Sequence, residues 1–375
     1  MVWLPANSLL WHSWPMNPLA DVQDMAAGLR DEARAFSVRS SRSLMALRHV
    51  FSVAIAVMAA HALGLHDAWW AAISAFTVMQ ANVGASAWRG LLRIFGTVCG
   101  GTAAFLLGPH LSGHPVASAL LIGAVSWAGL FAALVSRYSY AWVLGLITFV
   151  IVVCEALVAH TGLAHFALER VANVVIGTLA CVLVAALSER RFAVTIPGND
   201  PDERPPERTR VALHALQGAL AVALLTASLS LHDLRAFPQA MVTTIAVLIV
   251  PLGGQAIDAQ ASVMHRMVQR VTGCLLAGAI ALAVLPFIQQ HALWCQTVLA
   301  LGVWIGAYLQ SGPINVRYLA VQLSFAFLII FVQDRGWVAQ SGPALQRLGG
   351  VLAGVAALAL VFSAFWLFRR IARRH

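Results

Sequence analysis

Apolar runs bounded by Gly, Pro, His or Arg recur along the chain at about 46–65, 69–83, 91–107, 116–135, 141–158 and 171–187. They recur again at about 211–231, 237–252, 267–288, 292–309, 318–332 and 345–368. Runs of this length predict helices, and about 20 apolar residues cross a bilayer. The pattern predicts an all-α integral membrane protein with twelve transmembrane helices in two sets of six. Several runs are shorter than a full span, so half-length or re-entrant helices are expected among them. Before the first run, Val22, Met25, Ala26, Leu29, Ala33 and Phe36 recur at helical spacing, with Asp24, Arg30, Asp31 and Arg34 on other faces. That pattern predicts an amphipathic helix, either lying on the inner leaflet or solvated.

The divisions that follow are an N-terminal segment 1–45, a first six-helix set 46–187, a linker 188–210 and a second six-helix set 211–375 with a basic tail. The linker concentrates Pro and acidic residues and reads as a cytoplasmic loop. The two sets are repeats. Arg89 and Arg266, Arg93 and Arg270, Gly96 and Gly273, Trp127 and Trp304, and Arg170 and Arg347 each stand 177 residues apart, in one register from Ser86 to the C-terminus. Composition gives about half an Arg–Arg coincidence by chance over that overlap, and three occur, so common descent is the better account. Upstream, Leu65–Asp67 pairs with Leu231–Asp233 at an offset of 166. Six spans per repeat give both sets one orientation, related by a pseudo-twofold axis along the membrane normal.

Composition narrows the classes. Of 375 residues, 60% are apolar and 10% charged, which a soluble domain does not carry. The net charge of +9 comes entirely from arginines dispersed between apolar runs, which argues against nucleic acid and for membrane topology. With both termini cytoplasmic, twenty arginines fall on that side and four, Arg170, Arg235, Arg335 and Arg347, on the other. The five cysteines lie in apolar runs without metal spacing and read as buried hydrophobes. No metal or cofactor motif and no enzyme signature is expected. No cleavable signal peptide is evident, and Met16 and Met25 are alternative starts.

Several residues are candidates for chemistry. Arg89 with Arg93, and Arg266 with Arg270, are spaced to share one helix face at the cytoplasmic end of the third and ninth spans. Around the axis they predict a four-arginine cluster that takes a carboxylate on planar guanidinium forks; the alternative is anchoring to lipid phosphate. Trp127 and Trp304 sit mid-span, where they either stack on an aromatic ring or pack the core. Glu155 is the acidic residue well inside a span, a candidate for proton coupling with His61 or His160, or a hydrated residue near a helix end. Arg170 and Arg347 either draw an anion outward or face lipid headgroups. Gly96, Gly100, Gly273 and Gly278 are expected to let helices approach closely at the repeat interface.

An ordered set of motifs then points to a family. Trp69, Trp70 and Ala71, followed by Gln80 and Gly84, then by Arg89, Arg93, Gly96 and Gly100, resemble the fusaric acid resistance, or aromatic acid exporter, family. The second half repeats the pattern less faithfully, with Val250–Gly254 in place of the Gln turn. Aluminium-activated malate transporters look like more distant relatives, with one six-span unit per chain. The resemblance implies a bacterial inner-membrane protein exporting aromatic or related organic carboxylates. Alternatives are a passive organic-anion channel, or the inner-membrane part of an efflux assembly with a periplasmic membrane-fusion adaptor. The expected partners are the organic anion and membrane lipid, and a fused pair of repeats is compatible with a monomer.

Overall fold

The computed structural model describes residues 18–111, 113–158, 162–189, 207–229, 237–250, 256–288, 291–334 and 342–372. The linker 190–206, His160, Arg235, Arg335, Pro251–Gly254, Leu231–Asp233 and the alternative start Met16 lie outside these residues.

The described residues form thirteen helices and no strand: α1 (Pro18–Arg34), α2 (Ser41–Ala62), α3 (Trp69–Val78), α4 (Val83–Leu111), α5 (Pro115–Val135), α6 (Ser139–Val158) and α7 (Leu163–Glu189), then α8 (Arg208–Leu229), α9 (Phe237–Leu248), α10 (Ala256–Ile288), α11 (Ala292–Gln310), α12 (Ile314–Phe331) and α13 (Gly342–Ala372). Ten are long and apolar enough to cross a membrane, and the chain is a multi-pass membrane protein. The two short ones are α3 and α9, the second span of each set. Seven residues of α3 are buried, so this half-length helix is enclosed by its neighbours rather than by lipid. After Val78 the chain leaves helical geometry at Met79, and the Gln80 N–H donates to Ser86 Oγ (2.9 Å), which closes the turn into α4.

The two halves interlock. In the first, α4 lies along α6, and α7 packs on α2, α3 and α4; in the second, α10 lies along α12, and α13 packs on α8 and α9. Across the halves α2 meets α11 and α5 meets α8. One buried cluster joins α2 and α3 to α10, α11 and α12, and another joins α4, α5 and α6 to α8, α9, α10 and α13.

Helix α1 docks on the bundle and is not merely solvated. Its Met25 is buried against Val316 and Leu319 of α12, and Leu29 packs beside it with Val268 of α10. Polar ties complete the dock: Asn315 Nδ2 donates to Asp24, Asp21 stands 3.4 Å from His265, and Glu32 pairs with Arg42 at 2.6 Å. An apolar stripe with charged flanks suits a protein groove as well as a bilayer surface.

The glycines act inside a half rather than across the repeat interface. A Cβ on Gly96 would overlap the Ala141 carbonyl, and one on Gly100 the Gly145 carbonyl, so α4 and α6 touch backbone to backbone. Gly273 faces Leu319 and Gln322 of α12, while a Cβ on Gly278 meets nothing within 4 Å. Gly100→Val is therefore expected to lower stability by about 1–3 kcal/mol through overpacking. Gly278→Ala should be neutral or stabilising by up to about 1 kcal/mol. Thermal melting in detergent separates the two. Cys99, read from sequence as buried, is exposed on α4; the other four cysteines are buried.

Candidate functional site

The interior of this apolar bundle holds cations. Arg48, Arg93, Arg170, Arg270 and Arg347 are all buried, although a charge inside a membrane is costly unless something compensates it. Helix α4 begins eight residues before the apolar run, so Arg93 lies about 15 Å along the helix and is buried among its neighbours.

Each arginine set is organised within its own half. Arg93 Nε donates to Ser74 Oγ (3.0 Å), and Nη1 to Thr77 Oγ1 (3.0 Å) and Tyr140 OH (3.1 Å), which ties α4 to α3 and α6. The two α3 hydroxyls donate to carbonyls of their own helix, Trp70 and Ile73, and so turn their lone pairs to the guanidinium. Arg89 lies over the Tyr140 ring at 4.3 Å. In the second half Arg270 Nε donates to Thr243 Oγ1 (3.1 Å), and Nη1 to Gln322 Oε1 (2.9 Å) and Tyr318 OH (3.3 Å). Arg266 lies over the Tyr318 ring at 5.4 Å and donates to the Ile249 carbonyl. The contacts of the four arginines thus fall in two sets and not in one four-arginine cluster.

Arg170 and Arg347 do not face headgroups. Arg170 is buried with its guanidinium 3.3 Å from the Trp70 ring centre, and its Nε and Nη1 find no hydrogen-bond acceptor among the described residues. Arg347 donates through Nη2 to Gln322 (3.2 Å) and through Nη1 to Gln239 (3.3 Å), while its Nε is unmatched. Gln322 therefore bridges Arg270 and Arg347.

Arg347 lines a pocket of about 280 Å³ between the halves, and Arg170 stands behind Trp70 of its wall. Its wall takes Asp67, Trp69, Trp70, Ile151 and Phe166 from the first half, and Pro238, Gln239, Ile329, Gln333, Asp334, Gln346 and Arg347 from the second. It opens where α2 ends and α7 begins, on the side opposite α1. Rings and aliphatic chains face one guanidinium, three glutamine amides and the carboxylates of Asp67 and Asp334, the mixed lining of a small-ligand site. At its rim the Asp67 N–H donates to Asp334 Oδ1 (2.6 Å), joining the halves. Asp67 has φ +54°, the left-handed region, and mainly burial, then the nearby Asp334, raises its carboxyl above the usual range; its bond from the Trp69 indole opposes this. His66 next to it has its imidazole raised, first by its hydrogen bond to the Glu169 carboxylate.

Trp127 and Trp304 are not with the arginines. The Trp127 indole donates to the Ala212 carbonyl of α8 (3.1 Å) and its ring stacks on Phe131, with 40% of the residue exposed at the side of the bundle. The Trp304 indole donates to the Ser43 carbonyl (3.3 Å), and its ring meets Phe36 and Tyr308 near α1. Both pack helices together. Glu155 is half-buried near the end of α6, one turn beyond Ile151 of the pocket and on the same helix face. His61 Nε2 lies 3.1 Å from the Gln333 carbonyl, also next to the pocket. The sequence reading missed Ser74, Thr77, Tyr140, Thr243, Gln239 and Gln322. The signal available was polar side chains recurring at helical spacing inside the shortest apolar runs.

Residues 55–184 match the family described as fusaric acid resistance protein-like. The match runs from α2 into α7, holds Arg89, Arg93 and Arg170, and includes all the motif residues from Trp69 to Gly100 on which the resemblance rested. Over 150 residues, 38% of this chain, the sequence is 31% identical to an uncharacterized transporter, YdhK, of Salmonella typhimurium; the stretch spans 22% of that protein's length. No solved structure matches.

Proposed function

We propose, from a first half that carries the sequence pattern of the fusaric acid resistance protein-like family, that this protein is an inner-membrane transporter exporting small organic carboxylates, aromatic ones among them. The observation that carries the reading is the buried, donor-rich guanidinium of Arg347 in a pocket walled by Trp69, Trp70 and Phe166, with the unmatched donors of Arg170 behind Trp70. A carboxylate supplies the missing acceptors and charge, and a ring suits the aromatic wall. Arg89, Arg93, Arg266 and Arg270 give the route from the α1 side a positive field.

The two halves are read as repeats about an axis along the membrane normal. The support is the matched pairing of Arg93 with Ser74 and Tyr140 and of Arg270 with Thr243 and Tyr318, and the paired contacts of α2 with α11 and of α5 with α8. Both termini are placed in the cytoplasm, on the side richer in exposed arginine. Glu155, on the pocket-side face of α6, and His61 are the groups proposed to couple export to protons.

The test is uptake into inverted vesicles of a panel of aromatic and aliphatic carboxylates beside their neutral amides. Proton-dependent accumulation of carboxylates and exclusion of the amides are expected. No carboxylate movement, with the protein shown to be in the membrane, overturns the reading. Resolvable unitary anion currents in planar bilayers would make the path a channel instead.

A further inference from the structure

On the side away from α1, two imidazoles and a carboxylate from separate segments converge. His66 comes from the α2–α3 loop, and His165 and Glu169 from the first turns of α7, four residues apart and so on one helix face. Glu169 Oε1 stands 2.8 Å from His66 Nδ1 and 3.3 Å from His165 Nε2, and all three donor atoms lie within 4.8 Å of one another. The backbone around His66 is held, because its carbonyl accepts from Asn173 Nδ2 (2.8 Å) and its N–H donates to Glu169 Oε1 (3.3 Å). Glu169 is largely buried at 14% side-chain exposure, while both imidazoles reach solvent at 66% and 71%.

We propose that His66, His165 and Glu169 form a binding site for a divalent transition-metal ion of the Zn²⁺ class, which fastens the α2–α3 loop to α7. Two imidazoles and one carboxylate are an N/O donor set suited to such an ion, and a fourth position open to water completes a tetrahedron. At bond lengths of about 2.0–2.2 Å, ligand atoms in a tetrahedral site stand about 3.4 Å apart, close to the 3.3 Å between Glu169 and His165, while the 2.8 Å contact to His66 would open by about 0.6 Å. The remaining adjustment falls on the two imidazoles, which reach solvent at the surface. The buried carboxylate gives the site a fixed anionic anchor. The loop so fastened continues into Asp67, Trp69 and Trp70 of the pocket wall, so the ion would hold one wall of the pocket to α7. The site rests on its own geometry and stands or falls independently of the transport reading.

The experiment uses full-length, tag-free protein in detergent, titrated with Co²⁺ and back-titrated with Zn²⁺. One equivalent of Co²⁺ is expected to give saturable visible ligand-field absorption that Zn²⁺ abolishes, and Zn²⁺ should raise the melting temperature. His165→Ala and Glu169→Gln should each weaken binding at least about tenfold, and His291→Ala, at the exposed start of α11, should not. His165→Ala removes an exposed ring, and an unchanged size-exclusion profile shows that it folds. Absence of saturable absorption in the wild-type protein overturns the proposal. So does a band that persists in both site variants, which would place the ion elsewhere and leave these residues as an ion pair only.

Discussion

An Arg347→Gln protein is expected to reach the membrane and to export carboxylates about 30 to 140 times more slowly than the wild type. The residue faces the pocket, and its Nε has no acceptor among the described residues. A hydrogen bond from a buried charged donor to a bound carboxylate contributes about 2–3 kcal/mol, and each 1.4 kcal/mol is tenfold. Gln keeps a donor for Gln322 or Gln239, so insertion survives. Arg347→Lys should recover part of the rate, since Lys keeps the charge and loses the fork. Initial rates in inverted vesicles, normalised to membrane content, check this. Unaltered carboxylate export by Arg347→Gln would move the anion path away from the pocket.

Arg93→Gln and Arg270→Gln are expected to act on stability first. Each guanidinium makes three side-chain hydrogen bonds that tie its helix to two others. Hydrogen bonds between membrane helices average about 0.6 and reach about 1.7 kcal/mol, so losing most of three costs about 2–4 kcal/mol. Melting in detergent should shift accordingly, while Arg317→Gln, whose Nη2 donates to the Gly312 carbonyl at the surface, should stay within about 0.5 kcal/mol of wild type. Normal melting of both interior variants would show that the networks are not structural ties.

The apolar pattern made most of the helix order legible, including the short second span of each set, because length and burial of a membrane helix are written in its composition. Where it failed, it failed at charge. The third and ninth runs were begun at Leu91 and Met267, whereas α4 and α10 begin at Val83 and Ala256. Arginine reads as a helix end in a hydropathy window, yet Arg93 lies within the bundle because hydroxyls of α3 and Tyr140 receive it. Ser74 and Thr77 each donate to a carbonyl of their own helix and leave the run apolar on average, so hydropathy alone does not mark them. The same averaging gives no sign that Arg48, Arg93 and Arg270 are buried. Arg93 and Arg270 are 177 apart, but their tyrosine partners Tyr140 and Tyr318 are 178 apart, so the 177-residue register does not pair the tyrosines. The His66, His165 and Glu169 group was out of reach for another reason: His165 and Glu169 are four apart, but the second imidazole, His66, stands about one hundred residues upstream.

Helix α1 couples the two halves. It is bolted through Met25, Asp24 and Asp21 to α12 and α10, and through Glu32 to Arg42 at the foot of α2. A rocking motion between the halves would therefore have to open either the Glu32–Arg42 pair or the dock of α1 on α12 and α10. One short helix thus serves as a clasp that spans both halves.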